Sequence, residues 1–148
     1  MAIKITSKVR YGLRAMVELG ISYPDGPTLM NTIAHQQNIP AKYLHTILSS
    51  LRNANLIRSI RGASGGFELL KNPDEIRLWE IVKALDGTLA LCDCIEDDTM
   101  CERSSFCIIR DVWLDLNQIM ENRLNEISLG ELILLEKKKR ANAFMYYI

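Results

Sequence analysis

Residues 28–53, TLMNTIAHQQNIPAKYLHTILSSLRN, with residues 56–70, LIRSIRGASGGFELL, after them, decide the fold. Thr28 is placed to cap a short helix carrying Leu29, Ile33 and Ala34. Asn38-Ile39-Pro40 makes a tight break, and proline suits the first turn of the next helix. Over residues 41–53 the apolar side chains Leu44, Ile47, Leu48 and Leu51 fall on one stripe, which leaves Lys42, Tyr43, His45, Thr46, Ser49 and Arg52 for other faces. Two short helices at a sharp turn read as a helix-turn-helix. Residues 56–60 and 67–70 have strand composition and flank Arg61-Gly62-Ala63-Ser64-Gly65-Gly66, whose glycines permit tight left-handed turns. A hairpin directly after a helix-turn-helix reads as a wing, with Arg58 at its base and Arg61 at its tip.

Upstream, Thr6 or Ser7 can cap a helix with Val9, Leu13, Met16, Val17 and Gly20 at helical spacing, ended by Tyr23-Pro24-Asp25-Gly26-Pro27. Downstream, Asn72-Pro73-Asp74 precedes a helix over residues 78–85 with Trp79, Val82 and Leu85, closed by Asp86-Gly87. After a cysteine-bearing loop, a long helix is expected from Ser104 or Ser105 to about Ile127. Its apolar set, Ile109, Val112, Trp113, Leu116, Ile119, Met120, Leu124 and Ile127, is broader than one small domain can cover, so a homodimer is the economical reading. Ser128 can cap a last helix with Leu129, Leu132, Ile133 and Leu135, whose C-terminus the basic run Lys137-Lys138-Lys139-Arg140 would suit. The expected fold is mainly α with a small β wing. It divides into a winged helix-turn-helix DNA-binding domain over residues 1–87, a cysteine-rich loop over 88–107, and a long dimerisation helix with a C-terminal helix over 105–148.

The chain has 148 residues, 48% hydrophobic and 24% charged, room for one domain with a dimerising extension. No apolar run reaches the roughly 18 residues that cross a bilayer, and the opening residues lack a secretory apolar region, so a cytoplasmic protein without a membrane partner is expected. The formal net charge is zero, but residues 1–71 carry nine basic and three acidic side chains, leaving nine basic and fifteen acidic for the rest. A half at +6 joined to a half at −6 suits a nucleic-acid module fused to a part that stays off the phosphates.

All four cysteines, Cys92, Cys94, Cys101 and Cys107, lie in one short segment. In a reducing compartment such a cluster points to a metal or redox site before a disulfide framework. An electron-transfer enzyme using such a metal site is the alternative, and against it no glycine loop for a nucleotide follows a strand, no acid/base pair stands out, and His35 and His45 are the only histidines.

Lys8-Val9-Arg10-Tyr11-Gly12-Leu13-Arg14-Ala15-Met16, Lys42-Tyr43-Leu44 and residues 58–67, in that order, resemble the IscR, NsrR and CymR family of bacterial transcription regulators, and Ile127-Ser128-Leu129-Gly130-Glu131-Leu132 adds an IscR-like ending. The resemblance covers nearly the whole chain. It implies a winged-helix dimer on a palindromic operator in double-stranded DNA, acting as a repressor or an activator, with an iron-sulfur cluster in the loop before the dimerisation helix that senses cluster status, redox state or nitric oxide. It places Lys42, Tyr43, His45 and Thr46 at the reading end of the recognition helix and Arg61 with Gly62 in the minor groove. Ser7, Lys8 and Arg14 would fix register through phosphates, and Arg52 and Arg58 join the basic surface. Relatives often carry Glu-Gln where this chain has His45-Thr46, which implies a different target sequence.

The family usually presents three cysteines, the last two with five residues between them, as in Cys101 and Cys107. Cys94 fits the first position and Cys92 is extra. Where some relatives have a histidine as fourth ligand this chain has Arg110, whose guanidinium offers no lone pair, so Cys92 is the candidate to complete the set, with Asp93, Glu96 or a residue of the second subunit as alternatives. Four thiolates suit [2Fe-2S], [4Fe-4S] or zinc; the resemblance favours iron, and [2Fe-2S] is preferred. A thiol switch is the other reading of the loop, although Asp93, Glu96, Asp97, Asp98 and Glu102 should raise thiol pKa values and disfavour it. The family also holds cluster-free regulators of cysteine metabolism, which lack these cysteines and work with a second protein.

Overall fold

The computed structural model describes residues 4–147; residues 1–3 and 148 of the expected spans lie outside it. The helices are α1 (Ser7–Ser22), α2 (Met30–Gln37), α3 (Ala41–Asn53), α4 (Leu78–Asp86), α5 (Asp93–Glu96), α6 (Ile108–Glu126) and α7 (Leu129–Tyr146), with strands β1 (Ile57–Ile60) and β2 (Gly66–Leu69) between α3 and α4. The two strands pair antiparallel, Ile57 opposite Leu69 and Ile60 opposite Gly66. This is the mainly helical, small-winged architecture that the sequence leads one to expect.

The core forms where the apolar stripes of α1, α3 and α4 meet. Val9, Ala15, Met16 and Leu19 of α1, the Leu44, Ile47, Leu48 and Leu51 stripe of α3, and Leu78, Ile81, Val82 and Leu85 of α4 are all buried. Each large side chain contributes about 1.5–3 kcal/mol by leaving water. Leu129 and Ile133 of α7 join the same core, and Ile133 fills the space beside Gly20 of α1. Thr6 caps α1 by accepting from the Val9 amide and Ser128 caps α7, both as expected, and Glu131 completes a reciprocal capping box with Ser128.

Three local expectations are corrected. Thr28 does not cap α2: Leu29 holds that place without a side-chain bond, and Thr28 is buried with its backbone paired to Phe67 through two 2.8 Å hydrogen bonds. The competing demand is the wing, which gains a third backbone segment and is thereby tied to the start of the helix-turn-helix. The long helix begins at Ile108, not at Ser104 or Ser105, because backbone bonds from Ser104 to Cys101 and from Phe106 to Arg103 close consecutive turns before an extended Cys107 at the N-cap. The basic run Lys137–Arg140 is inside α7 rather than at its end, since the helix continues to Tyr146.

Candidate nucleic-acid interface and cysteine loop

The N-terminal turns of α1, the first turns of α3 and the wing supply the basic surface. Ser7, Arg14, Lys42, Tyr43, His45, Thr46, Arg52, Arg58, Arg61 and Gly62 are exposed, and Lys8 is half-buried. Burial of the Leu44, Ile47, Leu48 and Leu51 stripe turns Lys42, Tyr43, His45 and Thr46 to solvent at the N-terminal end of α3, where a helix presents side chains to base edges. Tyr43 meets Tyr11 of α1 edge to face, ring centroids 5.7 Å apart, and the Arg14 guanidinium carbon lies 4.9 Å from the Tyr11 centroid. These contacts bring Arg14, Tyr11 and Tyr43 together from two helices. Ser7 accepts a 3.1 Å hydrogen bond from Arg10.

Arg58 and Arg61 differ in readiness. Arg58 sits opposite Glu68 in the strand register, and its Nε donates to that carboxylate at 2.6 Å. The pair offsets the positive charge at the wing's base and occupies two of the three Arg58 guanidinium nitrogens. Arg61 and Gly62 stand exposed at the tip, with Gly62 at φ +108°. Glu68 carries no motif of its own; its role shows only once the register is known.

In the cysteine loop, Cys92 precedes α5, Cys94 lies within it, Cys101 follows a short 3-10 turn at Asp98–Met100, and Cys107 is the N-cap of α6. The Cys92 and Cys94 sulfurs are 3.4 Å apart, close to the about 3.8 Å that two thiolates on one tetrahedral metal with bonds of about 2.3 Å would span. Partial burial pushes the Cys92 thiol up, and the neighbouring Cys94 pushes the same way more strongly than Asp93 does. Asp93 acts in the expected direction but is the smallest of these causes at Cys92. Among the described residues no three or more His, Cys, Asp or Glu side chains converge as a metal site. Cys101 is exposed and Cys107 half-buried, and neither joins the Cys92 and Cys94 pair in such a group.

Arg110, which offers no lone pair to a metal, makes a backbone contact. From the first turn of α6 its Nε donates to the Cys94 carbonyl oxygen at 2.9 Å, so the loop is fastened to the long helix by Arg110 as well as by Cys107. Sequence reasoning found that Arg110 could not ligate and had no signal for this backbone contact. Asp97 accepts from the Thr99 amide and hydroxyl, which hold its carboxyl below the usual carboxylate range and keep the loop negative. The exposed side of α6 carries Ile108, Ile109, Val112, Trp113, Leu116 and Ile119, between 38% and 76% exposed in the single chain. An apolar face of that length marks an interaction surface.

Residues 5–134 match the family model Rrf2, described as iron-dependent transcriptional regulator. The HTH-type transcriptional regulator CymR of Bacillus subtilis (strain 168) is 34% identical over 146 residues, 99% of this chain and 100% of that protein. The HTH-type transcriptional regulator IscR of Aliivibrio salmonicida is 34% identical over 131 residues, 88% of this chain and 77% of that protein. Among solved structures, that of CymR, the global cysteine regulator of B. subtilis, superposes with a TM-score of 0.75 at 34% identity over 90% of this chain and 98% of that one. IscR of T. potens superposes with a TM-score of 0.75 at 29% identity over 99% of this chain and 98% of that one.

Proposed function

Because the chain belongs to the Rrf2 family of transcriptional regulators, we propose that it is a homodimeric, non-enzymatic, sequence-specific DNA-binding protein of the cytoplasm. Its affinity for a palindromic operator is set by an iron-sulfur cluster held on the loop before α6. The observation that carries this reading is the placement of four cysteines on one loop fastened to α6 at both Cys107 and Arg110.

The donor set fits such a group in kind: soft thiolates suit iron and sulfide, and Cys92 and Cys94 already stand at chelating separation. Cys92, Cys94, Cys101 and Cys107 would hold it, [2Fe-2S] in preference to [4Fe-4S]. When bound, the cluster supplies redox and nitric-oxide reactivity and a cross-link across the loop. The protein's own part is to carry the state of that cross-link outward. Residues 88–107 end on the N-cap of α6, and Arg110 ties the first turn of α6 to Cys94, so reordering the loop changes the start of the helix. The α6 face, paired with its copy, would set the spacing of the two recognition helices, and residues 1–87 read DNA through Lys42, Tyr43, His45, Thr46 and Arg61. A coupling of about 1–3 kcal/mol between the two sites changes operator affinity several-fold to about a hundredfold.

Cluster-free regulation is the second reading, favoured by the likeness to CymR, which spans all of that protein. The two separate on anaerobic purification with iron, sulfide and zinc analysis and an absorption spectrum. Stoichiometric iron and sulfide, with a spectrum lost in the Cys92→Ser variant, supports the cluster and its fourth ligand. An unchanged Cys92→Ser spectrum refutes the ligand role of Cys92. Zinc alone, or no metal after anaerobic reconstitution, leaves a winged-helix regulator with a structural or thiol site.

A further inference from the structure

Tyr11 is part of the N-terminal motif, yet none of the expected DNA contacts uses it. Its side chain is half-buried between α1 and α3. The ring meets Tyr43 edge to face at 5.7 Å and an interplanar angle of 83°. The Arg14 guanidinium lies over it at 4.9 Å, and that of Arg10 approaches to 6.0 Å. Tyr43 is 37% exposed at the N-terminal end of the recognition helix, and Arg14 is exposed on α1. One aromatic ring therefore touches two side chains that face solvent from different helices.

We propose that Tyr11 is a positioning residue for operator recognition: its ring presets Tyr43 for base reading and Arg14 for a phosphate as one unit. The inference rests on the DNA-interface reading above. A free exposed arginine samples many rotamers and loses them on binding, whereas one held over an aromatic face has lost part of that freedom already. Edge-to-face contact likewise fixes the Tyr43 ring, because the positive edge of one ring seeks the negative face of the other. Both contacts need the Tyr11 ring and neither needs its hydroxyl. Recognition should thus survive Tyr11→Phe and weaken in Tyr11→Leu, which keeps apolar bulk but removes the π face.

The test uses the full-length protein and a duplex that the wild type enriches from a random-sequence pool, with a scrambled duplex of equal length beside it. Tyr11→Leu is expected to lower affinity for the enriched duplex roughly tenfold, as aromatic and cation-π contacts of this kind together allow. Affinity for the scrambled duplex should fall by clearly less, and Tyr11→Phe should restore tight binding. In a double-mutant cycle, Tyr11→Leu should cost less in the Tyr43→Ala background than in the wild type, the remaining loss being the part that acts through Arg14. Losses that multiply, or equal losses on both duplexes, overturn the proposal. A readout on the unmutated protein guards against a Tyr11→Leu chain that fails to fold: the Arg14 side-chain protons should show an upfield ring-current displacement in the free wild type, and ordinary shifts there overturn the preset pair. A wild type that enriches no duplex overturns the DNA-interface reading, and this proposal with it.

Discussion

Gly66 packs against the Thr28 backbone where the wing joins the helix-turn-helix, and replacing it with alanine tests that junction. Its φ is +146°, a region that L side chains adopt at a cost of about 1–3 kcal/mol. An added Cβ would also overlap the Thr28 carbonyl. The cheapest relief is to separate the two backbones, which gives up the paired 2.8 Å hydrogen bonds between Thr28 and Phe67, about 1 kcal/mol each. The expected loss is therefore about 3–5 kcal/mol, a large share of the about 5–15 kcal/mol that holds a domain together. In urea, with a slope of about 2 kcal/mol/M, the midpoint should fall by about 2 M at fixed protein concentration. Hydrogen exchange should show the Thr28 and Phe67 amides losing protection before the α3 core does. Gly62→Ala is the internal control: φ is +108° there and nothing lies within 4 Å of the added carbon, so only the backbone strain should register and the bridge should stay protected. A Gly66→Ala protein with an unchanged urea midpoint and a protected Phe67 amide would refute the junction.

The apolar face of α6 should behave as a subunit contact. Ile119 is 55% exposed, and covering that half is worth about 1 kcal/mol per copy and about 2 kcal/mol per two-fold dimer, so Ile119→Ala should raise the dimer dissociation constant roughly thirtyfold by sedimentation. Glu18 is buried on α1, accepting from Gln37 of α2 and Arg140 of α7, each at 2.8 Å. Arg140→Met strands the carboxylate; with Arg140 partly exposed the cost is discounted to about 1–3 kcal/mol, seen as a lower Tm. At the α7 cap, the Ser128 amide and hydroxyl hold the Glu131 carboxyl below the usual carboxylate range. A depressed carboxylate stabilises the fold above its unfolded pKa, and that stability goes as pH falls through the folded value; Glu131→Gln should flatten this acid limb in thermal melts run from neutral to acidic pH.

Much of the fold was legible because its local signals agree. The α3 stripe, the Ser128 cap and the glycine-rich hairpin each specify one structure, and tertiary packing reinforces them. Where local and tertiary demands compete, the sequence misleads. Thr28 has the side chain of a cap but a backbone that the wing claims, and Ser104 and Ser105 resemble helix starts although the turns around them defer α6 to Ile108. The basic run inside α7 reads as a helix end because charge favours that place, whereas Arg140 is paired with Glu18 of the neighbouring α1. At the candidate site, residue types carry the proposed chemistry: exposed arginines and tyrosines, and clustered thiols. Contacts through backbone atoms or from distant helices, such as Arg110 on the Cys94 carbonyl and Tyr11 on Tyr43, carry no spacing rule and emerge only in three dimensions.

The central claim is that the cysteine loop controls the grip on DNA. It is tested most directly by titrating the enriched duplex with anaerobically purified protein and with the same preparation after its iron is chelated, at one salt concentration and one dimer concentration. The account expects the two dissociation constants to differ several-fold or more, with Arg110→Ala, which unfastens the loop from α6, shrinking that difference. Identical constants in a preparation shown to have held and then lost its iron would contradict it.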